Sequence, residues 1–160
     1  MPGAERISHS PEETMEMGRS LGRRLKPPAL VLLSGELGSG KTTLTKGIIS
    51  GLGAAREEDV TSPTFTLVHE FHNHFKVYHV DLYRVEGFRD LETLGLEDAL
   101  AEPAIIIVEW SERFALRSDW PRVFVHLEHL EGDTRRIVVS GASEPEASAA
   151  LNGDAGPSIP

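Results

Sequence analysis

Eight consecutive residues of this 160-residue chain carry its clearest chemistry: Gly35-Glu36-Leu37-Gly38-Ser39-Gly40-Lys41-Thr42, followed by Thr43. They read G-x-x-x-x-G-K-[ST] in full. Glycines let the backbone curl until successive N–H groups face one point, and that concavity attracts anions. A helix beginning at Lys41 would add its positive end. Lys41 would reach the β- and γ-phosphates of a nucleotide, and the Thr42 hydroxyl would bind Mg²⁺. At average residue usage a chance match in a chain of this length is expected on the order of 1 time in 200. An apolar run before the loop and a helical pattern after it also suit a phosphate cradle.

A metal on a bound nucleotide needs a carboxylate besides Thr42. Two positions qualify. Glu109 follows Ala104-Ile105-Ile106-Ile107-Val108, and Asp81 follows Val77-Tyr78-His79-Val80. Ligands of open α/β sheets sit at the carboxyl ends of strands. One carboxylate could hold the metal, directly or through water, while the other orients the attacking water. Spacing alone does not divide the roles; the expected arrangement has Thr42 and Glu109 on Mg²⁺ and Asp81 in catalysis. Asp81 has an ordinary alternative, pairing with Arg84 or capping a turn. Trp110 could stack on adenine or pack at the sheet edge. Neither D-x-x-G after a strand nor N-K-x-D occurs, so guanine specificity has no support and ATP/ADP is the expected ligand.

The elements that must position these groups can be read around them. Ser10-Pro11-Glu12-Glu13 starts a helix, with Ser10 as cap, Pro11 in the first turn and Glu13 closing a capping box; it runs to about Leu25, before Pro27-Pro28. Ala29 to Leu33 reads as a buried strand, Thr42 to Leu52 as a helix stopped by Gly53. Phe65 to Phe71 and Phe75 to Val80 read as strands around Asn73-His74. Phe88 to Leu100 reads as a helix broken near Gly95 with an apolar, core-facing side. Ile105 to Val108 should be a central strand, and Val123 to Leu127 and Arg136 to Ser140 a late pair around Gly132-Asp133. The fold class expected is α/β: a P-loop NTPase three-layer α/β/α domain over residues 1–140, with a mixed central sheet. Residues 141–160 are rich in Ala, Ser, Gly, Pro and Glu and are expected to be a disordered tail.

Composition narrows the function. The net charge is −9, and the tail holds three of those charges, Glu144, Glu146 and Asp154, without a Lys or Arg. An acidic body is a poor autonomous binder of nucleic acid. The basic cluster Arg19, Arg23, Arg24 and Lys26 suits a helix end. Cysteine is absent, which excludes disulfides and thiol chemistry. No stretch reaches the roughly 20 apolar residues of a membrane span, and the first thirty residues lack a secretory pattern; a cytoplasmic location is expected. His69, His72, His74 and His79 lie close in sequence but, without cysteines or an H-E-x-x-H helix, read as solvated or packed.

Taken together, several motifs resemble the bacterial TsaE family, also called YjeE, the ATPase of tRNA threonylcarbamoyladenosine synthesis. They are the P-loop with Lys41-Thr42-Thr43, Ser62-Pro63-Thr64-Phe65-Thr66-Leu67-Val68, Tyr78-His79-Val80-Asp81-Leu82-Tyr83-Arg84, Leu94-Gly95 and Val108-Glu109-Trp110. The resemblance spans about Ser10 to Gly141. It implies that Thr64 lies in a switch-like segment sensing the γ-phosphate. It also implies that Asp81 and Glu109 are the acidic residues near Mg²⁺, and that Trp110 lies near the base. It further implies slow ATP hydrolysis by the isolated chain and faster hydrolysis with two carbamoyltransferase-type partner subunits, TsaD and TsaB. tRNA would be met indirectly, through the complex that modifies adenosine 37 of tRNAs reading ANN codons. Where the family often has Pro after V-E-W, this chain has Ser111.

Two other functions compete. A small-molecule kinase would need an acceptor pocket and usually an Arg-bearing lid, and the Arg135-Arg136 pair falls in a late strand instead. A non-enzymatic module would use nucleotide only to organise an assembly. No arginine finger is identifiable, and Arg84, Arg113 and Arg117 cannot be ranked from sequence.

Overall fold

The computed structural model describes residues 4–61, 68–83, 85, 95–113 and 118–141. Seven strands make one mixed sheet: β1 (Ala4–Ser8), β2 (Ala29–Ser34), β3 (Val68–His72), β4 (Lys76–Asp81), β5 (Ala104–Glu109), β6 (Arg122–His129) and β7 (Arg135–Ser140). Their order is β1-β7-β6-β2-β5-β4-β3. The four inner strands β6, β2, β5 and β4 are parallel, while the flanking pairs β6–β7, β7–β1 and β4–β3 are antiparallel.

Residue pattern explains the layout. The segments Ala-Leu-Val-Leu-Leu of β2 and Ala-Ile-Ile-Ile-Val of β5 are apolar without alternation and are buried throughout, as strands covered on both faces must be. In β6 the side chains alternate, Val123, Val125 and Leu127 inward and Phe124, His126 and Glu128 outward, because the helical layer covers one face there.

Two helices cover one face of the sheet. Helix α1 (Pro11–Arg24) begins as expected, with Ser10 Oγ accepting from the Glu13 amide at 3.1 Å. The Glu13 carboxylate reaches one residue further back than a capping box requires and accepts from the His9 amide at 2.7 Å. Helix α2 (Lys41–Gly51) follows β2. The two helices meet along a glycine seam. A Cβ on Gly18, Gly22, Gly47 or Gly51 would stand closer than 3.0 Å to a carbonyl of the opposite helix, those of Leu44, Ile48, Met15 and Arg19 respectively. Bare backbone lets α2 sit deep against the sheet, with Leu44, Ile48 and Ile49 in the main core beside Val31, Leu33, Ile105 and Ile107. The opposite face packs Leu30, Leu32, Ile106 and Val108 against Leu82, Val85, Leu96 and Ala99, the last two on the short helix α3 (Leu96–Ala99).

β1 is absent from the elements the sequence suggests. Its residues Ala-Glu-Arg-Ile-Ser are half polar, and only pairing with β7 makes them a strand. Thr64 with the rest of its loop, Arg84, Phe88 to Leu94 and the tail beyond Gly141 lie outside the described residues. Among the described residues no helix is long and apolar enough to cross a membrane.

Candidate nucleotide and metal site

The loop between β2 and α2 curls at the carboxyl end of the parallel strands. Gly40 takes φ 102° directly before α2, a left-handed conformation that glycine adopts at little cost. At Gly35 a side chain would collide with the Leu127 carbonyl and Ser39 Oγ. No side chain caps α2, and its first turn carries no acid. Its leading amides and its dipole are therefore turned toward the loop, the arrangement that receives an anion.

Lys41 lies within the curve. Its Nζ donates to the Gly35 carbonyl at 2.5 Å and to the Glu36 carbonyl at 2.9 Å. The ammonium also stands 3.7 Å from the centre of the Trp110 ring, a cation–π contact. Lys41 is only 4% exposed. Burial pushes its ammonium below the ordinary value of 10.5, while Glu109, Glu112 and Asp81 pull it back up. The charge is desolvated and ringed by carboxylates, so it acts over short range on whatever anion enters.

The carboxylates arrive from the neighbouring strands. Parallel register sets Asp81 beside Glu109 at the ends of β4 and β5. Glu109 is 2% exposed, and its Oε1 accepts from the Thr42 hydroxyl at 2.9 Å. Its Oε2 bonds Nε2 of His79, which is wholly buried. Asp81 Oδ1 accepts the Tyr83 amide at 2.9 Å, so the ordinary turn-capping contact exists alongside any catalytic one. Thr42, Glu109 and Asp81 offer hard oxygens, the ligand type Mg²⁺ prefers. Among the described residues no three His, Asp or Glu side chains are grouped to hold a metal by themselves. Mg²⁺ at phosphate sites commonly uses one or two carboxylates plus phosphate oxygens, so this donor set fits it.

An open cleft of about 310 Å³ runs over the loop, lined among others by Lys41, Thr42, Thr43, Asp81, Trp110 and Arg135. Trp110 has φ 62°, unusual for a bulky residue, and its ring lies 4.8 Å from that of Tyr83. It thus covers the lysine end of the cleft. Ser111 Oγ donates to the Leu33 carbonyl at 3.2 Å, a bond proline could not make. Glu112 accepts from the Gly35 amide at 3.1 Å. Together they tie the segment after β5 to the start of the phosphate loop.

Sequence reasoning passed over three of these groups. By sequence His79 reads as one of four neighbouring histidines, yet it shares one face of β4 with Asp81, two residues on, and that alternation is a usable signal. His69 is its register partner on β3, with ring centroids 6.4 Å apart. Arg135 does sit in a late strand, but β7 starts at the rim of the cleft. The bond from Glu112 to Gly35 spans 77 residues of chain and had no local sign.

The fold is of the α/β P-loop NTPase type. The family model described as "Threonylcarbamoyl adenosine biosynthesis protein TsaE" matches residues 8–138. The chain belongs to the TsaE family, whose role is in threonylcarbamoyladenosine (t⁶A) biosynthesis on tRNA. It is 34% identical over 134 residues to the tRNA threonylcarbamoyladenosine biosynthesis protein TsaE of Treponema pallidum, covering 84% of this chain and 98% of that one. It is 40% identical over 142 residues to the protein of the same name in Streptomyces coelicolor, covering 84% and 94%. The crystal structure of Bacillus subtilis YdiB superposes with a TM-score of 0.64 at 27% identity, covering 86% of this chain and 84% of that one.

Proposed function

We propose that this protein is a partner-activated, Mg²⁺-dependent ATPase that supports t⁶A formation at position 37 of tRNAs reading ANN codons. The observation that carries the reading is the linked set at one strand-end corner: Lys41 in the curve of the loop, Thr42 bonded to Glu109, and Asp81 beside it. The loop amides and Lys41 would bind the ATP phosphates, with Thr42 and Glu109 holding Mg²⁺. When bound, the metal would supply positive charge that offsets the charge of the phosphates. Asp81 would orient a water whose oxygen bonds to the γ-phosphorus as the bond to the bridging oxygen breaks, releasing ADP and phosphate. Thr64 would sense the γ-phosphate. Trp110, in contact with Lys41, would have to swing away to reach the base.

The active site is completed by partners. TsaD and TsaB are the proposed subunits, tRNA is met through them, and the setting is the cytoplasm. A group supplied in trans can raise phosphate hydrolysis by about 10³ to 10⁵. The test is reconstituted tRNA modification with the other family components, using wild type, Lys41→Ala and Asp81→Ala. Repeated turnover should fail with both variants. Full modification by an Asp81→Ala chain that binds ATP without hydrolysing it would show that turnover is irrelevant. Label from γ-phosphate appearing on a metabolite instead of in water would favour a kinase.

A further inference from the structure

Glu109 accepts a hydrogen bond at each oxygen, and the two donors are of different kinds. Oε1 faces Thr42 at the floor of the cleft; Oε2 faces inward to His79. His79 lies on β4, its side chain is wholly inaccessible, and its Nδ1 is buried with no hydrogen-bond partner among the described residues. A carboxylate sunk in the sheet interior is costly unless both oxygens are satisfied. Thr42 has one proton to give, so the inner oxygen depends on His79. A neutral ring with the proton on Nε2 satisfies that oxygen. It leaves at Nδ1 only an unprotonated nitrogen, which is cheaper to bury without a partner than an N–H would be.

We propose that His79 is a positioning residue for the metal carboxylate: by holding Oε2 from inside the sheet, it presents Oε1 of Glu109 to the cleft beside Thr42. The proposal rests on the nucleotide-binding reading above and deepens it. Without the Nε2 donor the carboxylate would turn to share Oε2 with Thr42 or draw water into the interior, and the oxygen offered to Mg²⁺ would no longer be fixed. His79 itself touches neither nucleotide nor metal in this scheme. Groups that orient a metal ligand in this way typically change metal affinity by about 10- to 100-fold when removed.

The test is calorimetric titration of ADP into the full chain at a series of Mg²⁺ concentrations and in EDTA, with thermal melting as the folding control. His79→Leu should raise the Mg²⁺ concentration needed for half-maximal enhancement by about 10- to 100-fold while leaving the ADP affinity in EDTA unchanged. His79→Gln, whose amide nitrogen stands near the place of Nε2, should remain close to wild type. A His79→Leu chain with the wild-type Mg²⁺ dependence would overturn the proposal, as would a folded His79→Gln chain as impaired as His79→Leu. Should the leucine variant not fold, ¹⁵N NMR of the wild-type ring decides. The Nε2–H signal of His79 should move on adding ADP with Mg²⁺ and not with ADP in EDTA; a signal indifferent to Mg²⁺ would sink the idea. Wild-type protein that takes up ADP with Mg²⁺ while the variants match it removes only the positioning role. Wild-type protein that takes up no ADP removes the nucleotide reading as well.

Discussion

The first turns of α1 and α2 lie on the same face of the sheet and are built in opposite ways. At α1, Ser10 caps the helix, Glu12 and Glu13 fill the first turn, and the Glu13 carboxylate bonds a further backbone amide. At α2, Gly40 supplies no cap, the first turn has no acid, and its first residue is a buried lysine. The first start satisfies its own amides and dipole. The second has neither a side-chain cap nor an acid in its first turn, the local pattern that suits an anion. A helix start of the first kind serves stability, and one of the second kind is open to a negatively charged ligand.

The largest expected effect reverses the character of the second start. Lys41→Ala should reduce partner-stimulated ATP hydrolysis by at least about 10²-fold, the scale seen when one charge-stabilising donor is lost, with the melting temperature little changed. Gly40→Asp should be as damaging to ATP binding, since it places an acid at the helix start and a side chain at φ 102°. Comparable hydrolysis rates for either variant and wild type would erase the distinction between the two starts.

A change behind α2 should do the opposite. Gly47→Ala drives a methyl into the Met15 carbonyl across the seam and should cost about 1–3 kcal/mol, the usual penalty of overpacking. For a chain of this size that lowers the melting temperature by roughly 2–4 °C per kcal/mol, readable by calorimetry. Ser10→Ala should cost about 1 kcal/mol through loss of the cap and leave nucleotide affinity untouched. A fall in affinity there would mean that the two starts are coupled.

The smallest effect is a pH dependence. Hydrogen bonds from Ser50 and Arg19 hold the Glu57 carboxyl below its ordinary value of 4.5. A depressed folded-state value means that the unfolded chain takes up the proton first. The contribution is therefore fully present above about 4.5 and lost as pH falls through the lowered value. Replacing Glu57 with Gln should lower stability slightly at neutral pH, leave it nearly unchanged in acid, and so flatten the acid limb of the stability curve. Unfolding monitored by denaturant at pH 3 and pH 7 would show it.

What sequence revealed and what it hid follow from the range of the forces. The phosphate loop, the Ser10 cap and the buried runs of β2 and β5 are set by neighbours within a few residues, and each is where local pattern puts it. Glu109 and Asp81 were legible as acids after apolar runs, because a strand end is a local feature. β1 was hidden because Ala4–Ser8 gains its strand form only from β7, more than 120 residues away in sequence. His79 was hidden because a histidine on a strand is ambiguous until the neighbouring strand shows what it faces; here that is Glu109, 30 residues on. The glycine seam was equally silent, since Gly18, Gly22, Gly47 and Gly51 look like poor helix formers until their close approach is seen.

Equilibrium dialysis of ATP against the folded chain, with Mg²⁺ and with EDTA, tests the central claim most directly. Uptake should be saturable, strengthened by Mg²⁺ and abolished by Lys41→Ala without loss of folding. Undiminished uptake by Lys41→Ala, or none by intact wild type, would contradict it.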